Sequence, residues 1–442
     1  MMLGYLLARR GVQVTVIEKH KDFFRDFRGD TVHPSTLELF WELGLLDDFL
    51  KVPHQELKTT GGTFGDFSFV AADFRKLPTH CKFVALMPQW DFLNFVAKQA
   101  REFPNFELRM EHEATGLIYK DARVSGVEVK TPAGDRGIEA DLVVGCDGRH
   151  STIRRSAQFE VQEFGVPIDV LWFRIRREPD DPELLLGNVN YGRALVLINR
   201  STYFQAGFII AKGSFPGIQA TGIEAFRESI TKVAPYLGDR VQELTDWDQV
   251  KLLTVQINRL RKWHRPGLLC IGDAAHAMSP AGGVGINLAI QDAVATSNLL
   301  GPALREGAVS DAMLATVQQR REFPVRVTQF FQAQGHRGMA QIFRSTDAFH
   351  APWQLKALVQ VPGIQHLFAR AMGLGVRPEH IDGAPQKERG GILRKVALAA
   401  AGAAVAAGII CGLRNRPVSD DQQHQSPRRC KPTRSRSKSS NV

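Results

Sequence analysis

Residues 268–287 constrain the fold of this 442-residue chain more than any other segment. They begin with four apolar residues, LLCI, which predict a short buried strand. A Gly-Asp turn, a loop with three glycines and a helical run over residues 286–300 follow. Glycines let a backbone approach a ligand closely, and the start of a helix presents unpaired N–H groups and a partial positive charge. The segment therefore predicts a site for a large, hydroxylated, anionic cofactor.

The order of residues in this segment matches a known motif over its whole length. It has Gly-Asp-Ala-Ala-His at 272–276, then Pro280, then Gly-Gly-x-Gly-x-Asn at 282–287, and then Asp292-Ala293. This resembles the second flavin motif of the aromatic-ring hydroxylases, which are single-component FAD monooxygenases of the para-hydroxybenzoate hydroxylase type. The alternative is an ordinary strand–turn–helix connection in an α/β sheet, because short glycine-rich matches are common.

A second motif precedes the first. Residues 140–148 predict a buried strand that ends in Asp147 and Gly148, and Ser151 is placed to cap the helix that follows. Asp-Gly turns are common on their own. The distance of 125 residues from Asp147 to Gly272 makes the pair more specific. The pattern Cys-Asp-Gly-x-x-Ser-x-x-Arg is similar to the middle motif of the same family, which the resemblance implicates in contact with the flavin and NAD(P)H.

The first residues have the pattern of the second half of a βαβ unit. Residues 1–10 are helical in character, Gly11 follows as a helix stop, and residues 12–18 alternate as a strand that ends in Glu18. A complete unit would begin about 15–20 residues earlier, with a strand and a G-x-G-x-x-G loop. We therefore expect the FAD-binding domain to be incomplete at its N-terminus, and its FAD affinity to be poor unless another segment substitutes.

The resulting fold prediction is of the α/β class. It combines a Rossmann-like FAD-binding domain, incomplete at its N-terminus, with an inserted, mostly antiparallel β-sheet substrate domain and C-terminal helices. The predicted boundaries are 1–164 and 261–305 for the FAD-binding domain, 165–260 for the substrate sheet with a contribution from about 52–85, 306–385 for the helical region, and 386–442 for an apolar segment with a basic tail.

The resemblance also implies a cofactor role for particular residues, while it assigns no catalytic side chain and no metal ligand. His276 is left out of the catalytic group because relatives usually pack it structurally. The implied contacts are Glu18 with the adenosine ribose, Arg28 and Gln89 with the flavin–phosphate region, Asp147 and Gly148 with the flavin and NAD(P)H, Gly272 and Asp273 with the ribityl or pyrophosphate portion, Pro280, Gly282, Gly283 and Gly285 with the isoalloxazine ring, and Asn287 with the negative charge of the reduced ring.

The function implied by the resemblance is that of an FAD-dependent monooxygenase. NADH or NADPH would reduce the flavin, O2 would form a flavin hydroperoxide, and an aromatic or apolar organic substrate would be hydroxylated. Two alternatives stay open: another flavin oxidoreductase of the superfamily, such as a reductase, and a degenerate, non-enzymatic scaffold. The five cysteines include no C-x-x-C pair, which favours a reducing, cytoplasmic location over a disulfide framework.

Most of the net positive charge lies in the C-terminal tail. The chain carries a net charge of +10, but eight of its Lys and Arg residues and only two acidic residues lie from Arg414 onward. The nearly balanced body argues against a nucleic-acid groove. The 18 residues from Val396 to Leu413 have no charge but are mostly alanine and glycine. They fit an inert extension, a weak membrane association or a partner-binding tail.

Overall fold

The structure is a computed structural model that describes residues 1–24, 31–181, 185–343 and 347–383. The predictions for Arg28 and for the segment from Val396 to Leu413 lie outside the described residues. The helices are α1 (Met2–Arg9), α2 (Pro34–Glu42), α3 (Leu46–Phe49), α4 (Gln89–Arg101), α5 (Thr152–Ser156), α6 (Phe215–Ala220), α7 (Ile223–Val233), α8 (Val284–Arg305), α9 (Asp311–Ile342), α10 (Trp353–Gln360) and α11 (Ile364–Gly373).

The strands form several sheets rather than one. They are β1 (Val14–Glu18), β2 (Thr31–Val32), β3 (Gln55–Leu57), β4 (Thr59–Phe64), β5 (Phe67–Asp73), β6 (Val84–Leu86), β7 (Phe106–Met110), β8 (Glu113–Lys120), β9 (Arg123–Thr131), β10 (Gly134–Glu139), β11 (Val143–Gly145), β12 (Val161–Phe164), β13 (Ile168–Arg176), β14 (Leu185–Asn190), β15 (Arg193–Asn199), β16 (Tyr203–Ala211), β17 (Lys251–Leu253), β18 (Ile257–Leu260), β19 (His264–Arg265) and β20 (Leu268–Cys270).

Two parallel strand pairs form the base of the cofactor side. Strand β1 pairs with β7, and β11 pairs with β20, both in parallel. Within the described residues the two pairs are not hydrogen-bonded to each other. Helix α1 packs onto β1 closely enough that a Cβ on Gly4 would lie 2.7 Å from Val16 Cγ2. Parallel strands covered by buried helices are the α/β arrangement that the sequence predicted.

A seven-stranded sheet forms the second layer, in the order β17-β13-β16-β15-β14-β4-β5. It is antiparallel except between β14 and β4. One face is apolar at alternate positions, and Phe173 and Phe208 pack there against Phe226 of α7. The opposite face carries Trp172 and Gly207, which are direct partners across β13 and β16. Strands β4 and β5 come from residues 59–73, far from the rest of the sheet in sequence.

The C-terminal helices connect the two layers. Met339 and Phe343, at the end of α9, pack against the Trp172 face of the sheet. Phe368 and Met372 of α11 and Ile198 of β15 pack against the same cluster, which includes Ala72 of β5. Among the described residues, none of the helices combines the length and the apolar character needed to cross a bilayer.

Candidate cofactor site

The turn after β20 has the geometry that the glycine-rich motif predicted. Strand β20 is fully buried, and Gly272 follows with a φ of +58°, in the left-handed region that favours glycine. Its N–H donates to Oδ2 of Asp292, at 3.0 Å. Asp273 is about one-third exposed. The hydrogen bond to Asp292 therefore holds the turn in place, while the Asp273 carboxylate is partly exposed to solvent.

Asp292 is the centre of a buried charged network. His276 Nε2 lies 2.6 Å from Oδ2, and Arg321 Nε donates to Oδ1 at 2.9 Å. Arg321 also donates to Glu379, at 3.2 Å. Burial alone would raise the pKa of Asp292, but the neighbouring His276 and Arg321 hold this pKa below its usual value. Asp292 is thus an anion that joins the Gly272 turn to α9 and to the segment after α11.

The loop before α8 is held against the N-terminal part of the chain. Gly283 has a φ of +62°, and a Cβ there would lie 1.9 Å from Thr31 Oγ1. The Oδ1 of Asn287 accepts hydrogen bonds from His33 N–H and Thr36 Oγ1, and its Nδ2 donates to the carbonyls of Thr31 and Gly283. The protein therefore fills the hydrogen-bonding capacity of the Asn287 amide, and its direct action on the flavin stays a prediction.

His33, at the entry of α2, is also fixed in this region. Its Nδ1 lies 2.9 Å from the carbonyl oxygen of Met372, and its ring is buried. Burial lowers the pKa of His33 to about 4, so the ring is neutral near pH 7. Met372 lies beside Gly282 as well, because its Cε is 3.9 Å from the position of a Cβ on that glycine. Helix α11 thus borders the loop that the sequence assigned to the isoalloxazine ring.

The Asp147 turn is built as the second motif predicted. Ser151 Oγ accepts a hydrogen bond from Arg154 N–H at 2.9 Å, so the predicted helix cap is confirmed. The Asp147 carboxylate accepts from Ser151 Oγ and from Ile153 N–H. Asp147 therefore stabilises its own helix start. Its contact with the cofactor stays a prediction.

Arg149 of the second motif lies close to Asp273 of the first motif, and no pattern in the sequence identified it. A nitrogen of its guanidinium lies 3.8 Å from Asp273 Oδ2. Its Nη1 is buried and has no hydrogen-bond partner among the described residues. A buried, unpaired guanidinium nitrogen is costly unless a ligand satisfies it. Arg149, which lies next to Asp273, is therefore a candidate donor to an anionic ligand.

Glu18, at the end of β1, and Cys146, which follows β11, both lie near Met1 at the start of α1. The Cys146 thiol is open to solvent but surrounded by protein on most sides, which raises its pKa to about 11. An added Cβ on Gly148 would meet no atom within 4 Å. The Gly148 turn is therefore open on the side that a Cβ would occupy.

Gln89 is the first residue of α4, as the sequence predicted. The adjacent Trp90 packs on Phe24 with ring centroids 4.9 Å apart. The start of α4 therefore lies next to the segment that leads to Arg28, but nothing among the described contacts joins Gln89 to the glycine-rich loop.

The residues of the site fit FAD. Glu18 and Asp273 offer carboxylates for ribose and ribityl hydroxyls, Arg149 offers an unsatisfied donor for a phosphate, and the Gly148 turn leaves space. No cluster of potential metal ligands occurs in the part of the chain that the structure describes. Two surface clefts of about 240 and 510 Å³ lie elsewhere, beside Arg10 and Arg240, and border none of these residues.

Comparisons with known proteins show the family of this chain. A family model described as "FAD binding domain" matches residues 1–331. A 6-methylpretetramide 4-monooxygenase of Streptomyces rimosus is 31% identical, over 72% of this chain and 77% of that enzyme. A para-nitrophenol 4-monooxygenase of Pseudomonas sp. (strain WBC-3) is 25% identical, over 68% of this chain and 75% of that enzyme.

A solved structure shows the same fold. The OxyS anhydrotetracycline hydroxylase from Streptomyces rimosus superposes with a TM-score of 0.67 at 24% identity, covering 86% of this chain and 74% of that one. Some relatives are longer, and the chain spans only 60–61% of three of them.

Proposed function

This chain belongs to the FAD binding domain family of flavin-dependent monooxygenases, and we propose that it hydroxylates an aromatic compound with NADH or NADPH and O2 as co-substrates. The observation that carries the proposal is Arg149 of the second motif: its Nη2 lies 3.8 Å from Asp273 of the first motif, and its buried Nη1 has no hydrogen-bond partner among the described residues. When bound, FAD supplies the redox chemistry that links the nicotinamide to O2 and the substrate. The protein contributes binding, orientation and exclusion of water.

Each predicted residue keeps its proposed role toward FAD. Glu18 accepts from the adenosine ribose, Asp273 from the ribityl chain, and Arg149 is added as a donor to the pyrophosphate. The remaining proposed contacts are Arg28, Gln89, Asp147, Gly148, Gly272, Pro280, Gly282, Gly283, Gly285 and Asn287. Two observations support these roles. The Gly272 turn leaves the Asp273 carboxylate accessible. The glycine loop leads directly into the start of α8, whose partial positive charge favours an anionic ligand.

The proposed substrate lies between this loop and the seven-stranded sheet. Trp172, Gly207 and Val196 are direct cross-strand neighbours and so share one face. Helix α9 borders this face through Met339, and α11 borders it near Ile198. The indole of Trp172 lies over Gly207, which has no side chain. We call this face of the sheet the substrate wall, and its aromatic and apolar groups suit a flat aromatic ring.

Replacing Asp273 with alanine tests the cofactor site. We expect the FAD dissociation constant to rise about tenfold to a hundredfold, because a charge-assisted hydrogen bond to a ligand hydroxyl is lost. Flavin fluorescence titration measures the change, and Asp135→Ala, at an exposed position of β10, is the matched control. Equal affinities for the two variants would refute the assignment.

Substrate-dependent oxidation of NADH and NADPH tests the reaction. We propose 6-methylpretetramide and para-nitrophenol as probes of fused-ring and single-ring substrates, since relatives carry those names. Nicotinamide oxidation and an O2-derived hydroxyl in the product support the proposal. Absence of both FAD binding and nicotinamide oxidation would favour the scaffold alternative.

The domain boundaries and the C-terminal segment also remain proposals. The division into 1–164 with 261–305, 165–260 and 306–385 is supported by the separate sheets, and β4 and β5 are consistent with a contribution of 52–85 to the substrate side. A weak membrane association from Val396 to Leu413 is supported by 18 uncharged residues. Fusing the segment to a fluorescent reporter and fractionating membranes tests it, and a fully soluble reporter would end the idea.

A further inference from the structure

One face of α9 is hydrogen-bonded to the loop on both sides of Pro280. Gln332 Oε1 accepts from Ser279 N–H, at 3.1 Å. Its Nε2 donates to the carbonyl oxygens of Ser279 and Ala281, each at 3.1 Å. A single side chain therefore fixes the backbone before and after the proline that the sequence placed beside the isoalloxazine ring.

His336 adds a contact one turn further along α9. Its Nε2 lies 2.7 Å from Ser279 Oγ, which also accepts from Ala281 N–H at 3.2 Å. Both His336 and Ser279 are buried. Burial lowers the pKa of His336 to about 4, so the imidazole is neutral near pH 7 and the contact places no net charge in the interior.

The buried face of α9 carries polar side chains, whereas two large apolar side chains lie on its exposed side. Phe323 and Phe330 are more than half exposed, whereas Gln329 and His336 are 3% and 5% exposed. Gln329 donates to the carbonyls of Asn258 and Ala277, which extends the same row of contacts. Burying polar groups is unfavourable unless they are satisfied, and satisfied networks select one conformation of the segment they hold. The buried polar side chains of α9 therefore hold the loop around Pro280 in one position, which apolar side chains would not do.

We propose that Gln332 and His336 are positioning residues for the flavin ring, which they hold in place through Ser279, Pro280 and Ala281. The proposal rests on the proposed function, since it takes this loop as the wall of the flavin site. Helix α9 continues to Met339, which packs on the Trp172 face of the sheet. The same helix thus fixes the loop and the substrate wall, and so sets the distance between them.

Hydrogen exchange of residues 277–285 tests the hydrogen bonds without any cofactor. We expect His336→Leu and Gln332→Leu to accelerate exchange of this segment about threefold to tenfold, the effect of one or two lost hydrogen bonds on local opening. His336→Gln, which can again place a polar atom near Ser279 Oγ, should restore slow exchange. Gln319→Leu, at an exposed position on the same helix, is the matched control.

The FAD-loaded protein tests the positioning role. We expect His336→Leu to change the reduction potential and visible spectrum of bound FAD and to lower kcat, while KM for the nicotinamide changes less than twofold. Unchanged exchange, or faster exchange with an unchanged potential and kcat, would overturn the positioning role alone. A wild-type chain that binds no FAD overturns the proposed function and the positioning role with it.

Discussion

Replacing Asp292 with asparagine should destabilise this protein strongly while leaving its side-chain volume unchanged. The carboxylate receives Gly272 N–H and Arg321 Nε, and it contacts His276 Nε2. Asp292 and Arg321 are both almost completely buried. An asparagine has one acceptor oxygen for these groups, and its NH2 must face at least one donor.

The expected loss follows from these contacts. One buried donor left without an acceptor costs about 1–3 kcal/mol. Arg321 also loses half of its counter-charge, since only Glu379 remains, and breaking a buried ion pair from one side costs about 3–5 kcal/mol. The two effects overlap, so we expect a total of about 3–5 kcal/mol, a large share of the stability of a typical domain.

Urea unfolding monitored by circular dichroism and by tryptophan fluorescence measures this loss. The two probes must give the same transition before a free energy of unfolding is calculated, because the chain has more than one layer. Asp311→Asn is the control, since Asp311 is half exposed and its pair with Arg123 spans 3.4 Å. A loss below about 1 kcal/mol for Asp292→Asn, or one equal to the control, would refute the reasoning.

Three further predictions concern the loop before α8, the pH dependence of stability and the reactivity of Cys146. Gly283→Ala should lower the free energy of unfolding by about 1–3 kcal/mol more than Gly307→Ala, as measured by urea titration. Both glycines have positive φ, but only a Cβ on Gly283 would clash with Thr31. Equal losses for the two variants would contradict this clash. The pKa of His33 is about 4 when folded against 6.5 when unfolded, so stability should be intact above pH 6.5 and fall by up to about 3 kcal/mol as the pH decreases to 4. Urea midpoints at pH 7.5 and 4.5 check this, and His33→Gln should show a shallower dependence than wild type. Alkylation of Cys146 by a maleimide, followed by peptide mass spectrometry, should be slow and should slow further when FAD is present; a rate independent of FAD would argue against a cofactor site beside Cys146.

The sequence predicted those parts of the site that depend on neighbouring residues. The buried strand, the Gly-Asp turn and the start of α8 all lie within residues 268–284, and the order of apolar residues and glycines encodes them directly. The cap on α5 is equally local, since Ser151 reaches the N–H only three residues ahead. Backbone conformation and caps are set by such short-range sterics and hydrogen bonds, so they can be recognised without a structure.

Tertiary structure alone decided what surrounds these elements. Asn287 is bound to residues more than 250 positions away, and the partners of Asp292 include Arg321, from a helix with no motif. The pairing of β14 with β4 and the contact of Gln332 with Ser279, 53 positions away, also join residues that are distant in sequence. Periodicity records which face of an element is apolar, but not which distant element covers it, because that choice depends on the simultaneous packing of all elements. The sequence by itself therefore determined the cofactor motifs, and the fold determined what holds them in position.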